Sequence, residues 1–175
     1  MAIKFKELRK YISRVCRLSI CFEDGHYDNY HLISDIPDGK YDDLYVYGIG
    51  LVDVEFPLDV YKPYEEEPIN SKECFLGHAL EIVLYKEDRG FERKELDALQ
   101  FGDLRKYLQG GRFFSIIIKG EWKSERYEWR KEIQQEYNEM KVYGIGIEDN
   151  WEFIKATNAI FEDSHASKRL VIVLE

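Results

Sequence analysis

The chain has 175 residues, 45% hydrophobic and 15% aromatic, which is enough apolar material for one good core or two small ones and too aromatic for a disordered chain. Its 25 Lys/Arg against 34 Asp/Glu leave a net charge of −9, which argues against nonspecific binding to nucleic acid or anionic membrane and favours basic partners or simple solubility. No apolar run approaches the ~18–20 residues needed to span a bilayer, and the first seven residues lack the apolar stretch of a signal peptide, so a cytoplasmic location in a bacterial host is expected.

In chain order, Phe5, Leu8 and Ile12 recur at helical spacing, with Arg9, Lys10 and Arg14 toward the wet side. Residues 17–22 are rich in β-branched and aromatic side chains and read as a strand, closed by the turn signal Asp24-Gly25. A second strand is expected at residues 30–33. The third is the Val46-Tyr47-Gly48-Ile49-Gly50 block. Plain alternation puts Tyr47, Ile49 and Leu51 on one face and Val46, Gly48 and Gly50 on the other. A long irregular loop, 54–78, holding Pro57, Pro63 and Pro68, leads to a fourth strand at residues 80–84.

The same elements then recur. Residues 3–12 reappear as 99–108, with five of ten positions identical, and residues 41–50 as 137–146, with six of ten identical. Both windows sit at an offset of 96, and a random position matches roughly one time in seventeen. The closing block 80–84 reappears as 170–174, at an offset of 90. Strands are likewise expected at 113–118 and 127–129, and Gly144 and Gly146 repeat the glycine face of Gly48 and Gly50. The expected fold is α+β: a tandem duplication of an α-β-β-β-β unit, mostly antiparallel, with one short helix per unit. Unit one spans 1–85, a linker 86–96, and unit two 97–175.

Catalytic signatures are missing from the sequence. Gly48-Ile49-Gly50 lacks the third glycine of a dinucleotide loop, so these glycines and Gly144 and Gly146 read as structural, admitting a close neighbour on one strand face. Cys16, Cys21 and Cys74 are odd in number and lack CxxC spacing, and His26, His31, His78 and His165 match no metal motif. Neither a metal nor a cofactor is expected, and no catalytic residue is assigned.

The distinctive surface is in the first copy. Between Glu23 and Glu67 there are 13 acidic residues against Lys40 and Lys62. Seven tyrosines are interleaved with them. Either these tyrosines are core and the acids a solvated exterior, or the stretch is an acidic, Tyr-rich contact for a basic protein surface. On the second reading the contact residues are Tyr27, Asp28, Tyr30, Asp38, Asp42, Asp43, Tyr61, Tyr64, Glu65, Glu66 and Glu67. Tyr41 and Tyr47 repeat in copy two and read as structural. The basic residues Lys4, Lys6, Arg9, Lys10, Arg14 and Arg17 are expected to pair with the protein's own acidic loop rather than with a partner.

The run Phe5-Lys6-Glu7-Leu8-Arg9-Lys10-Tyr11-Ile12, followed by a strand, the Val-Tyr-Gly-Ile-Gly block and Leu-x-Ile-Val-Leu, resembles small uncharacterised proteins common in Firmicutes genomes, prophages and mobile elements. That resemblance implies small accessory proteins that act by binding, anti-CRISPR and other anti-defence inhibitors among them. The expected function is a non-enzymatic protein-binding module, monomeric or homodimeric, possessing no direct affinity for nucleic acid or membrane. Its sharp form is an inhibitor that blocks a nucleic-acid-binding host protein through the acidic face. The competing readings are an assembly protein built as an intrachain pseudo-dimer, and an enzyme or small-ligand binder with its site between the two units.

Overall fold

The computed structural model describes residues 2–14, 16–57, 74–89, 98–109, 113–121, 124–147 and 169–175. It holds two similar four-stranded sheets, one per repeat, each with a short helix. In the first unit, helix α1 (Phe5–Arg9) precedes β1 (Leu18–Phe22), β2 (Tyr27–Tyr30), β3 (Tyr45–Pro57) and β4 (Cys74–Tyr85). In the second, α2 (Phe101–Arg105) precedes β5 (Phe114–Ile118), β6 (Ser124–Tyr127), β7 (Val142–Ile147) and β8 (Leu170–Leu174). The strand orders are β2-β1-β4-β3 and β6-β5-β8-β7. The hairpin pairs and β3–β4 and β7–β8 are antiparallel, and the central pairs β1–β4 and β5–β8 are parallel. Duplication of an α+β unit is therefore what the chain folds into, as mixed sheets.

The helices are five residues each, too short to persist by propensity. They are held by burial of Phe5 and Leu8 in one and Phe101 and Leu104 in the other, all fully buried; each such side chain contributes about 1.5–3 kcal/mol.

Three details differ from the sequence expectation. The second strand ends at Tyr30, not at residue 33, and its counterpart ends at Tyr127 rather than 129. Short 3-10 turns follow, Ile33–Asp35 and Arg130–Glu132. Their last residues reach back: the Asp35 carboxylate accepts the Leu32 N–H at 2.9 Å, and Glu132 accepts the Trp129 N–H at 3.1 Å. This local bonding offers the backbone an alternative to the ladder.

The faces of the third strand are also not those of plain alternation. Val46 lies opposite Leu84 and Gly48 opposite Val83, so Tyr47 is an extra residue in the ladder. This β-bulge shifts the phase by one. Val46, Ile49 and Leu51 all enter the core, and Tyr47 is 47% exposed, stacked on Tyr85 at 4.4 Å. The second copy repeats the bulge between Val142 and Gly144, with Tyr143 45% exposed.

Finally, the third and fourth strands take in residues 54–57 and 74–78, which were expected to be irregular. β3 and β4 remain paired as far as Pro57 and Cys74, well beyond Leu80, where β1 stops pairing. The result is a two-stranded ribbon that runs on past the rest of the first sheet. Among the described residues, β7–β8 has no such extension.

The two units share one core. Residues from both repeats form a single buried cluster that includes Ile12, Ile49, Leu108 and Ile145. The units also exchange backbone bonds reciprocally. Ile145 N–H donates to the Tyr11 carbonyl and its carbonyl accepts Ser13 N–H, both at 2.8 Å. Ile49 N–H donates to the Tyr107 carbonyl at 2.8 Å and its carbonyl accepts Gln109 N–H at 2.9 Å. The tyrosine hydroxyls cross over too: Tyr11 Oη accepts Leu99 N–H at 3.0 Å, and Tyr107 Oη accepts Ile3 N–H at 3.2 Å. Every partner in one set lies 96 residues from its counterpart in the other. The duplication thus folds as an intrachain pseudo-dimer.

Candidate functional site

The acidic side of the first repeat is built on the β1–β2 hairpin and the segment leading into β3. Asp28 and Tyr30 alternate on β2, and Tyr41 rises from the following loop to meet them. The Tyr41 hydroxyl donates to Asp28 Oδ2 and shares a 2.7 Å hydrogen bond with the Tyr30 hydroxyl. Lys40 Nζ donates to Asp28 at 3.0 Å and to Tyr30 Oη at 2.8 Å, and lies 4.9 Å from the centre of the Tyr41 ring. The Tyr41 bond holds the Asp28 carboxyl below its ordinary range, against the opposing effect of burial. Burial, then the Asp28 bond, pushes the Tyr41 phenol up.

Copy two places the equivalent three residues together, bonded differently. Tyr127 and Tyr137 both donate to Glu125 Oε2, the latter at 2.8 Å. Burial and Glu125 push Tyr127 up to about 12. A loop tyrosine donating to a hairpin carboxylate, Tyr41 to Asp28 and Tyr137 to Glu125, is therefore part of the unit's architecture: it ties the hairpin to the loop that starts β3 or β7. Of the expected contact residues, Asp28 and Tyr30 belong to this internal network. Tyr41 is buried, as its repetition suggests.

Of the six N-terminal bases, Lys4, Lys6 and Arg9 pair with the acidic segment. Lys4 and Lys6 both reach Asp43 Oδ1, at 3.3 and 3.4 Å, and together hold its carboxyl below the ordinary range. Arg9 lies 3.7 Å from Asp38 and 3.9 Å from Asp42. Its Nη2 also donates to the carbonyl of Ile36 at 3.0 Å, seating the 3-10 turn. Asp43 and Asp38 remain largely in solvent, so these surface pairs add little to stability. Tyr27 is 59% exposed at the start of β2. Tyr61, Tyr64, Glu65, Glu66 and Glu67 lie outside the described residues. The structure thus brings Asp28 and Tyr30 into one cluster and Asp38, Asp42 and Asp43 around α1, and leaves Tyr27 exposed on the hairpin.

A pocket of about 470 Å³ opens next to this network, with Phe22, Tyr41, Leu44 and Leu84 as its apolar side and Glu23, Asp24, Lys40 and Lys86 as its charged side. It lies within copy one, not between the units. The glycine face of β3 does meet the other unit, through a side chain: a Cβ on Gly48 would come 2.9 Å from Gln109 Nε2, and one on Gly50 2.6 Å from Gln109 Oε1. Gln109 carries no motif and was not legible as a contact. Tyr11 and Tyr107 were visible only as repeated residues. Burial and the nearby Glu81 charge push the Cys21 thiol up, away from reactivity. Among the described residues, no group of three or more His, Cys, Asp or Glu side chains is placed to hold a metal. No described helix is long and apolar enough to cross a membrane.

Comparison of the chain with protein-family models, with curated proteins and with solved structures gives no match.

Proposed function

We propose that this protein is a non-enzymatic protein-binding module whose contact is the acidic, Tyr-bearing side of the first repeat together with the ribbon that β3 and β4 carry past the sheet. The observation that supports it is the difference between copies. Both repeats share the sheet, the bulge and the tyrosine–carboxylate bridge, so the scaffold requires no difference there. Yet the described part of copy one alone has the extended ribbon, and the sequence concentrates negative charge in the same unit. A paired ribbon offers backbone edges to a partner, and the excess of carboxylates selects a basic surface. The sharp form is an inhibitor, of the kind phages and mobile elements encode, occupying the basic cleft of a host nucleic-acid-binding protein. The internal ion pairs around α1 reduce the free charge of the described face. The proposed electrostatic contact therefore rests chiefly on Glu65, Glu66 and Glu67.

The test compares wild type with E65K/E66K/E67K and Tyr27→Ala as baits in bacterial lysate at low and high salt, with melting temperatures measured in parallel. The expected result is one basic partner, released by salt and lost from the triple variant at unchanged melting temperature. A partner held equally by all three baits would sink the assignment of the contact. The pseudo-dimeric core favours a second reading, an assembly component, and a concentration-independent homo-oligomer in sedimentation would move the conclusion there.

A further inference from the structure

The two copies differ at a second place, on the opposite unit, and there the difference is in positive charge. Arg9 and Arg105 are equivalent residues, each donating from Nη2 to the carbonyls of a 3-10 turn: Ile33 and Ile36 for Arg9, Arg130 and Ile133 for Arg105. In copy one the guanidinium is flanked by Asp38 and Asp42. In copy two the position of Asp42 is Asn138, whose side-chain oxygen accepts from Arg105 Nη1 at 3.3 Å without supplying charge. Gln134 and Gln135 stand in the region of Asp38. The position of Ile33 has become Arg130, a second guanidinium.

These changes converge on an open pocket of about 330 Å³ lined by Gly102, Arg105, Lys106, Arg130 and Asn138. Gly102 replaces Lys6 of copy one. A Cβ there would approach the backbone and Cβ of Asn138 to 3.0 Å, so the glycine keeps this wall close and bare. Arg130 is anchored by its Nη1 on the carbonyls of Lys106 and Leu108, at 3.3 and 2.8 Å. Among the described residues its Nη2 and Nε donate to no protein group, and neither arginine has a carboxylate within ion-pair distance. The close counter-charge among them is Asp103, and it is held by Lys106 at 2.8 Å. Burial, and then the Arg130 charge, lower Arg105's hold on its proton.

We propose that this pocket is a binding site for the phosphate group of a small molecule. Arg130, seated on backbone carbonyls through Nη1, holds Nη2 and Nε as a rigid guanidinium fork matched to tetrahedral oxyanions; Arg105, whose Nη1 and Nη2 are taken by the Gln134, Arg130 and Ile133 carbonyls and by Asn138, adds its charge and its Nε–H beside it, and the pocket exceeds what a phosphate group alone occupies. The site is independent of the acidic face of copy one and of any protein partner there.

The test is a titration of the full chain with inorganic phosphate, against sodium chloride at matched ionic strength, read by thermal shift and by the arginine side-chain NMR signals. Wild type, Arg130→Gln and Asn138→Asp are compared. Asn138→Asp restores the carboxylate that copy one tolerates, so it is expected to fold. Phosphate is expected to raise the wild-type melting temperature by a few degrees at about ten times its dissociation constant and to shift the Arg105 and Arg130 Nε–H signals. Both responses should fall at least tenfold in apparent affinity in Asn138→Asp. An equal response to chloride, or an undiminished response in Asn138→Asp, overturns the proposal. Glycerol phosphate, added as a second probe, separates the sources: at least tenfold tighter binding than phosphate identifies a phosphorylated small molecule, and equal binding identifies the free anion.

Discussion

At the scale of single residues, the tyrosine–carboxylate bridge makes the clearest demands. Tyr41→Phe removes two hydrogen bonds and leaves Asp28 with Lys40, so a loss of about 1–3 kcal/mol is expected in urea unfolding; a change under about 0.5 kcal/mol would show the bridge to be incidental. The pH dependence follows from the same bonds. The Asp28 carboxyl titrates lower folded than unfolded, where its ordinary value is near 3.8. Its contribution is therefore complete above that value and disappears as pH falls below it. Asp28→Asn should flatten the acid limb of a stability–pH curve. On the alkaline side the sign reverses. Tyr127 is raised from 10.0 to about 12, so its contribution is complete below pH 10 and is lost as pH rises through 12. Tyr127→Phe should weaken that alkaline limb. Arg9 and Arg105 were legible as a repeated pair. That Arg9 meets Asp42 and Arg105 meets Asn138 could be read only once these residues were placed beside them.

At the scale of elements, the third strand of each repeat carries most of the information. Its glycines were legible as sites of close approach, and Gln109 is what approaches. A methyl on Gly50 meets the movable end of that side chain, so Gly50→Ala is expected to cost no more than about 1 kcal/mol, and Gly50→Ala/Gln109→Ala should recover it. If the double variant is as unstable as the single one, the clash lies elsewhere. The bulge was not legible, because a one-residue phase slip leaves the pattern of apolar residues almost unchanged. Plain alternation therefore puts Tyr47 on the same face as Ile49 and Leu51, which are buried while Tyr47 is exposed. The second strand was misplaced by two or three residues for a related reason. Leu32 and Ile33 are apolar enough to extend a strand, but the Asp35 carboxylate captures the Leu32 N–H and turns the chain instead.

At the scale of the whole molecule, the crossing bonds make the two repeats one cooperative body. Tyr107→Phe leaves the Ile3 N–H buried without its partner and should cost about 1–3 kcal/mol. The same substitution at Tyr11 strands the Leu99 N–H on the other side, with a similar expected cost. Scanning calorimetry of the intact chain should show one transition, with calorimetric and van't Hoff enthalpies equal. Two resolved transitions would mean that the shared core does not couple the units. The sequence by itself determined the duplication, its offset, the apolar strands and the segregation of acidic residues into copy one, because these are patterns along the chain that local side-chain chemistry enforces. The tertiary structure alone decided which repeat residues cross to the other unit, which acids pair with α1, and where copy two brings Arg105 and Arg130 together. Those outcomes depend on groups far apart in the chain meeting within hydrogen-bonding distance, and no local period in the chain encodes such a meeting.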